Sequence, residues 1–241
     1  MNAPRVLVAC EMSGRVRTQF AKRGWDAWSA DLLPDESDMW VPEEASPSTP
    51  SPAWGFHYQG DVLDIIHEPW DLVIAHPPCT DLSQAGARYW RQKQADGRQQ
   101  AAADFFMMLM FAPVHTAYVA VENPRGWMSS YYREPDQEVE PWWFGDPLSK
   151  KTCLWYRSPN SMYAYPKLPV LVADNVVVPT GRVTTGGGSW RTDQANGKSG
   201  MNNWEDSQGR ARRHILRSIT PEGFARAAAE QWGAYVEARC A

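Results

Sequence analysis

Two short strings hold residue types suited to covalent chemistry, Pro77-Pro78-Cys79 and Glu122-Asn123-Pro124. Each closes an apolar run of strand length, residues 71–75 and 117–121, rich in β-branched or aromatic side chains. A strand that meets two prolines cannot extend its ladder, so the backbone stiffens just where the thiol of Cys79 emerges. If the two runs are neighbours in a parallel sheet, Cys79 and Glu122 face one another above its carboxyl edge. That crevice is where open α/β sheets bind ligands. A nucleophile and an acid would then share one pocket. The plainer alternative is that Cys79 is a small buried hydrophobe, the commonest role of a lone cysteine.

The elements around these strings read as a nucleotide-binding α/β fold. Residues 5–10 form a first strand, Glu11-Met-Ser-Gly14 a turn, residues 15–23 a helix stopped by Gly24, and residues 26–30 a second strand ending at Asp31. The turn holds one glycine, a weak match to a dinucleotide fingerprint. Residues 42–53, rich in Pro and Ser, read as a loop. Gly60-Asp61-Val62 precedes the strand that leads to Cys79. Residues 85–100 are polar and read as a mobile loop over the site. Residues 101–110 read as an apolar helix whose Met and Phe residues pack the core. Thr152 to Tyr156 is a further strand. Residues 159–212 have little periodicity, and Thr220-Pro221 opens a C-terminal helix reaching about Arg239. The division expected is a catalytic domain over 1–158, a small basic segment over 159–212, and a helical end over 213–241 packing back on the first.

At 241 residues the chain has length for one α/β domain with an appendage. Its four cysteines are far apart with no Cys-x-x-Cys pair, which argues against a zinc site or a disulfide framework and points to a reducing cytoplasm. No signal peptide and no membrane-length apolar segment is expected. The formal net charge of −4 is unevenly spread. Residues 1–147 carry 11 Lys/Arg against 21 Asp/Glu, and residues 148–217 carry 11 against 4. An acidic half beside a basic segment suits a phosphate-backbone binder, or is an ordinary solvated basic surface.

The ordered set of motifs resembles the DNA cytosine-5 methyltransferases, in particular their short phage forms. Asp71-Leu-Val-Ile-Ala-His-Pro-Pro-Cys-Thr-Asp-Leu-Ser-Gln-Ala-Gly86 is similar to the family's nucleophile motif. Asp96-Gly-Arg98, Val121-Glu-Asn-Pro124 and Phe144-Gly-Asp-Pro-Leu-Ser-Lys-Lys-Thr152 follow in family order, so the resemblance covers most of residues 5–158. It implies a Rossmann-like S-adenosylmethionine-dependent fold, mostly parallel sheet flanked by helices, with a small irregular recognition segment. It implies that the Cys79 thiolate adds to cytosine carbon 6 of a flipped base and that protonated Glu122 supports ring nitrogen 3. Burial would raise the Glu122 pKa toward that form, and nearby positive charge would lower that of Cys79.

The same resemblance puts Lys150 at a base-contacting arginine position, where a phosphate contact is an equal alternative. The cofactor, S-adenosylmethionine or a derivative, would be held by Cys10, Glu11, Ser13, Gly14, Asp31, Asp61, Val62 and Pro77, with Asp31 on ribose and Asp61 on adenine. Either acid alone could equally be a solvated strand end. Double-stranded DNA would meet Ser83, Arg98, Arg182, Arg191, Arg210, Arg212 and Arg213, although Arg98 could instead be an ion pair capping the following helix. Metal is not expected, and a monomer is. Departures from the family pattern are Cys10 and Met12-Ser13 in the cofactor turn, His76 in place of a small glycine, Lys150 and Thr152 for paired arginines, and the small recognition segment. They leave room for an altered transferred group or a catalytically silent DNA-binding relative. An amino-group methyltransferase would instead want Asp/Asn-Pro-Pro-aromatic and no thiol.

Overall fold

The computed structural model describes residues 3–37, 55–157, 167–182, 191–192 and 219–240. Seven strands form one sheet in the order β3-β2-β1-β4-β5-β8-β6. They are β1 (Arg5–Ala9), β2 (Asp26–Asp31), β3 (Phe56–Gln59), β4 (Leu72–Ala75), β5 (Tyr118–Asn123), β6 (Gln137–Val139) and β8 (Thr152–Tyr156). Strands β1 to β5 run parallel, while β8 is antiparallel to both β5 and β6. This is the doubly wound 3-2-1-4-5-6 order with one reversed strand interposed, the Rossmann-like arrangement expected.

Apolar residues alternate across the pleat as a strand covered on both faces requires. Val6 and Val8 of β1 and Leu72 and Ile74 of β4 join a core with helix α1 (Arg15–Lys22) and helix α5 (Glu222–Cys240). Leu7, Ala9, Val73 and Ala75 face the other layer, packed by Phe106, Leu109 and Met110 of helix α3 (Arg98–Phe111). The first helix is pinned to the last by Glu237, which accepts from Arg23 (2.7 Å) and from the Trp25 indole (2.7 Å).

Two expectations change. Residues 85–100, read as a mobile loop, are built into a 3-10 turn (Gln84–Tyr89), helix α2 (Trp90–Ala95) and the start of α3. Trp90 meets Trp127, at the start of helix α4 (Trp127–Tyr131), edge-on at 5.5 Å. Lys93 reaches the carbonyl of Thr80 and the carboxylate of Asp81, so polar composition here hides inward-facing anchors.

Residues 167–177, grouped by sequence with the basic segment, run along the core. Leu168 and Leu171 are buried in it, and Gln231 of α5 brackets Val172 through both its N–H and its carbonyl. Beyond them β9 (Gly181–Arg182) pairs with β7 (Leu148–Ser149) and with β10 (Arg191–Thr192) in a small second sheet. Its register sets Arg182 opposite Arg191. Arg210, Arg212 and Arg213, and the 42–53 loop, lie outside the described residues.

Candidate active site

Strands β4 and β5 are parallel neighbours, with Ala75 opposite Val121, so the loops bearing Cys79 and Glu122 leave the sheet side by side. The buried side chain of Asn123 donates to the carbonyl of Pro77 (2.9 Å), stitching the two strings together. His76 N–H donates to Ala9 O (2.9 Å), carrying the loop's first residue onto β1. Below Cys79 its carbonyl accepts from Leu82 and Ser83 N–H, and this turn docks on residue 126. A Cβ on Gly126 would lie 2.1 Å from Leu82 O, so only glycine allows the approach.

A cavity opens here, lined by His76, Glu122, Lys150 and Thr152, with Val139 and Pro141 beside them. Thr220, Pro221 and Phe224, at the entry to the last helix, complete its wall. The Glu122 side chain is 16% exposed, and its Oε2 lies 3.3 Å from His76 Nδ1, a ring itself 9% exposed. Burial alone would raise the Glu122 pKa, the outcome expected from sequence. The His76 hydrogen bond, the Lys150 charge and the Thr152 hydroxyl outweigh it, and the carboxyl is held below its ordinary range. That hydroxyl has one proton to give, and geometrically it donates to Lys150 O at 3.0 Å. Cys79 also departs from expectation. Burial first, then the Glu122 charge, push its thiol up, and Lys150 and Lys93 only partly offset them. The resting pair is therefore a thiol beside a carboxylate.

At the other end of the carboxyl edge the cofactor residues divide. Cys10 follows β1 with a left-handed φ of 59°, and its thiol is pushed up to about 12 by burial and by the charges of Asp31 and Asp61. Those three side chains thus form one cluster. Asp31 Oδ1 accepts from Leu33 N–H (2.9 Å) and Asp61 Oδ1 from Leu63 N–H (2.9 Å). Their second oxygens have no partner among the described residues. Exposed acceptors of this kind fit the ribose hydroxyls and amino group of an adenosine, and Leu32, 73% exposed beside Asp31, offers apolar surface.

Glu11 is a correction. It is 4% exposed, and its two carboxylate oxygens accept from Val16 N–H (2.7 Å) and Arg17 N–H (3.2 Å), capping α1. Ser13 donates to it, so both residues hold the turn rather than face a ligand. Gly14 (φ 64°) leaves room for the Arg17 guanidinium, and Val62 is core. Pro77 is buried and contributes its carbonyl to Asn123.

Of the residues expected to meet DNA, Ser83 is buried at 4%, away from solvent. Arg98 is exposed and forks onto Asp96 (2.7 and 2.9 Å) at the start of α3, the capping alternative. No group of His, Cys, Asp and Glu among the described residues could hold a metal ion, and no described helix is long and apolar enough to cross a membrane. Sequence reasoning missed Lys93 and the Thr220–Phe224 wall. His76 stood out only as a departure from a motif.

The fold and the paired edge residues define an α/β protein of the doubly wound class with a thiol-and-carboxylate crevice. No family model and no curated protein matches the sequence. Among solved structures, a prophage-encoded protein of E. coli assigned as a DNA modification methyltransferase is similar at 15% identity and a TM-score of 0.42, over 64% of this chain and 46% of that one. A triple mutant of Spodoptera frugiperda DNMT2 is similar at 15% identity and a TM-score of 0.40, over 77% and 57%. The chain spans about half the length of each. The fold assignment rests on the strand order.

Proposed function

We propose that this chain is a DNA (cytosine-5) methyltransferase. The observation that carries the reading is the convergence of Cys79 and Glu122 over the carboxyl ends of two adjacent parallel strands, beside a cavity with Lys150 in its wall. Ring carbon 5 of cytosine is a poor nucleophile. Addition of the Cys79 thiolate to carbon 6 moves the ring π electrons toward nitrogen 3, where Glu122 delivers a proton, and carbon 5 becomes enamine-like. Lys150 supplies positive charge to the base pocket. S-adenosylmethionine, when bound, supplies the methyl electrophile. Asp31 and Asp61 are the acceptors that would hold its adenosine, with Cys10 between them.

The target carbon is hidden in duplex DNA, so the base must be flipped. The basic stretch beyond residue 177 supplies the recognition segment in this reading, with Arg182, Arg191, Arg210, Arg212 and Arg213 meeting phosphates. The protein would act as a cytoplasmic monomer, in the host if phage-encoded, where protection of phage DNA from restriction is a fitting purpose. The test is incubation with a duplex carrying 5-fluorocytosine and S-adenosylmethionine. A covalent protein–DNA adduct is expected, and it must vanish in Cys79→Ser. Absence of any adduct on varied DNA, despite cofactor binding, would sink the reading.

A further inference from the structure

His76 is the unexplained member of the cavity. Its ring is almost wholly enclosed, its Nδ1 lies 3.3 Å from Glu122 Oε2, and its Nε2 is buried with no partner among the described residues. An ionised carboxylate only accepts hydrogen bonds, so this contact requires the proton on Nδ1. The backbone under the ring is fixed, its N–H tied to Ala9 O and the next carbonyl to Asn123, and the ring itself is 9% exposed.

We infer that His76 is a positioning residue for Glu122, fixing Oε2 and leaving Oε1 to the base. This rests on the methyltransferase reading above. In that reading the Cys79 thiolate pair forms the S–C6 bond, the C5=C6 π pair becomes C4=C5, and the C4=N3 π pair takes the proton from Glu122 as its O–H bond breaks. The charged and titratable groups facing His76 and Glu122 are Cys79 on the same loop and Lys150 across the cavity, with Lys93 acting on Cys79 from α2.

The experiment is a carboxyl ¹³C NMR titration of the free protein, with the Glu122 signal assigned by Glu122→Gln. His76→Gly and His76→Asn are compared with the parent chain. Asparagine keeps a donor near the Nδ1 position without a titrating ring. Loss of the donor in His76→Gly should raise the Glu122 midpoint by about one unit, a tenfold change in the protonation equilibrium. His76→Asn should restore most of it. The pH profile of adduct formation on 5-fluorocytosine DNA should move with that midpoint while the KM for DNA holds. An unmoved midpoint in a folded His76→Gly overturns the inference whether or not adduct forms. A midpoint that moves in a protein that never forms adduct supports the His76–Glu122 coupling and instead counts against the methyltransferase reading.

Discussion

Two glutamates stand at the carboxyl ends of parallel strands, and the fold treats them in opposite ways. Glu11, after β1, has its oxygens taken by the Val16 and Arg17 N–H groups at the start of a helix. Glu122, at the end of β5, has no backbone donor among these contacts, meets the His76 ring and opens into a cavity beside a thiol. Saturation by backbone donors makes a carboxylate part of the scaffold. Partial satisfaction in a cavity leaves it a proton to exchange. The lesson is that an acid at the right edge of the right sheet is not thereby a functional acid. What decides is the number of donors the backbone has already committed to it.

The contrast can be broken experimentally. Cys79→Ser should lower adduct-forming activity by roughly a thousandfold or more, because the nucleophile itself is lost, with far-UV circular dichroism unchanged. Glu122→Gln keeps the shape but cannot deliver a proton; initial rates should fall by about 10²–10⁴-fold. Glu11→Ala should act on the other quantity. It removes a helix cap and should cost about 2 kcal/mol of stability, read as a lower midpoint in urea. An equal stability loss in Glu122→Gln would erase the distinction.

Asp136 gives the smallest effect and a pH signature. Arg133, Lys167 and the Tyr156 N–H hold its carboxyl below the usual range despite its burial. Its folded pKa is depressed, so its contribution is complete above the unfolded value of about 3.9 and is lost as pH falls through the folded one. Asp136→Asn should therefore cost about 1 kcal/mol at neutral pH, with partners that remain partly solvated. The gap between the two melting curves should close in strong acid.

Much of this was legible in the chain. Two apolar runs ending in Pro-Pro-Cys and Glu-Asn-Pro announce neighbouring strands, and β4 and β5 are paired as that pattern implies. The glycine turn, Asp31 and Asp61 likewise reach one edge. Protonation states were not legible. Sequence shows that Glu122 follows an apolar run, but not that His76, Lys150 and Thr152 converge on it from separate segments. Nor does it show that Glu11 is spent on its own helix, since i to i+5 and i+6 contacts look the same whether an acid points inward or outward. The loop over residues 85–100 was misread for a related reason. Lys93 looks like a solvent-facing charge in sequence, and only tertiary contact with Thr80 and Asp81 turns it into an anchor.

The back wall of the cavity has a temporal consequence. Thr220, Pro221 and Phe224 line the same space as His76, and Arg15 reaches Glu222 across 3.3 Å. No local stretch of chain can form this site, because its walls are drawn from residues 76, 122, 139–152 and 220–224. The last helix also supplies Phe224, Ala225, Trp232 and Val236 to the core beside Val6 and Val8 of β1, so its docking completes the cavity and that layer of the fold together.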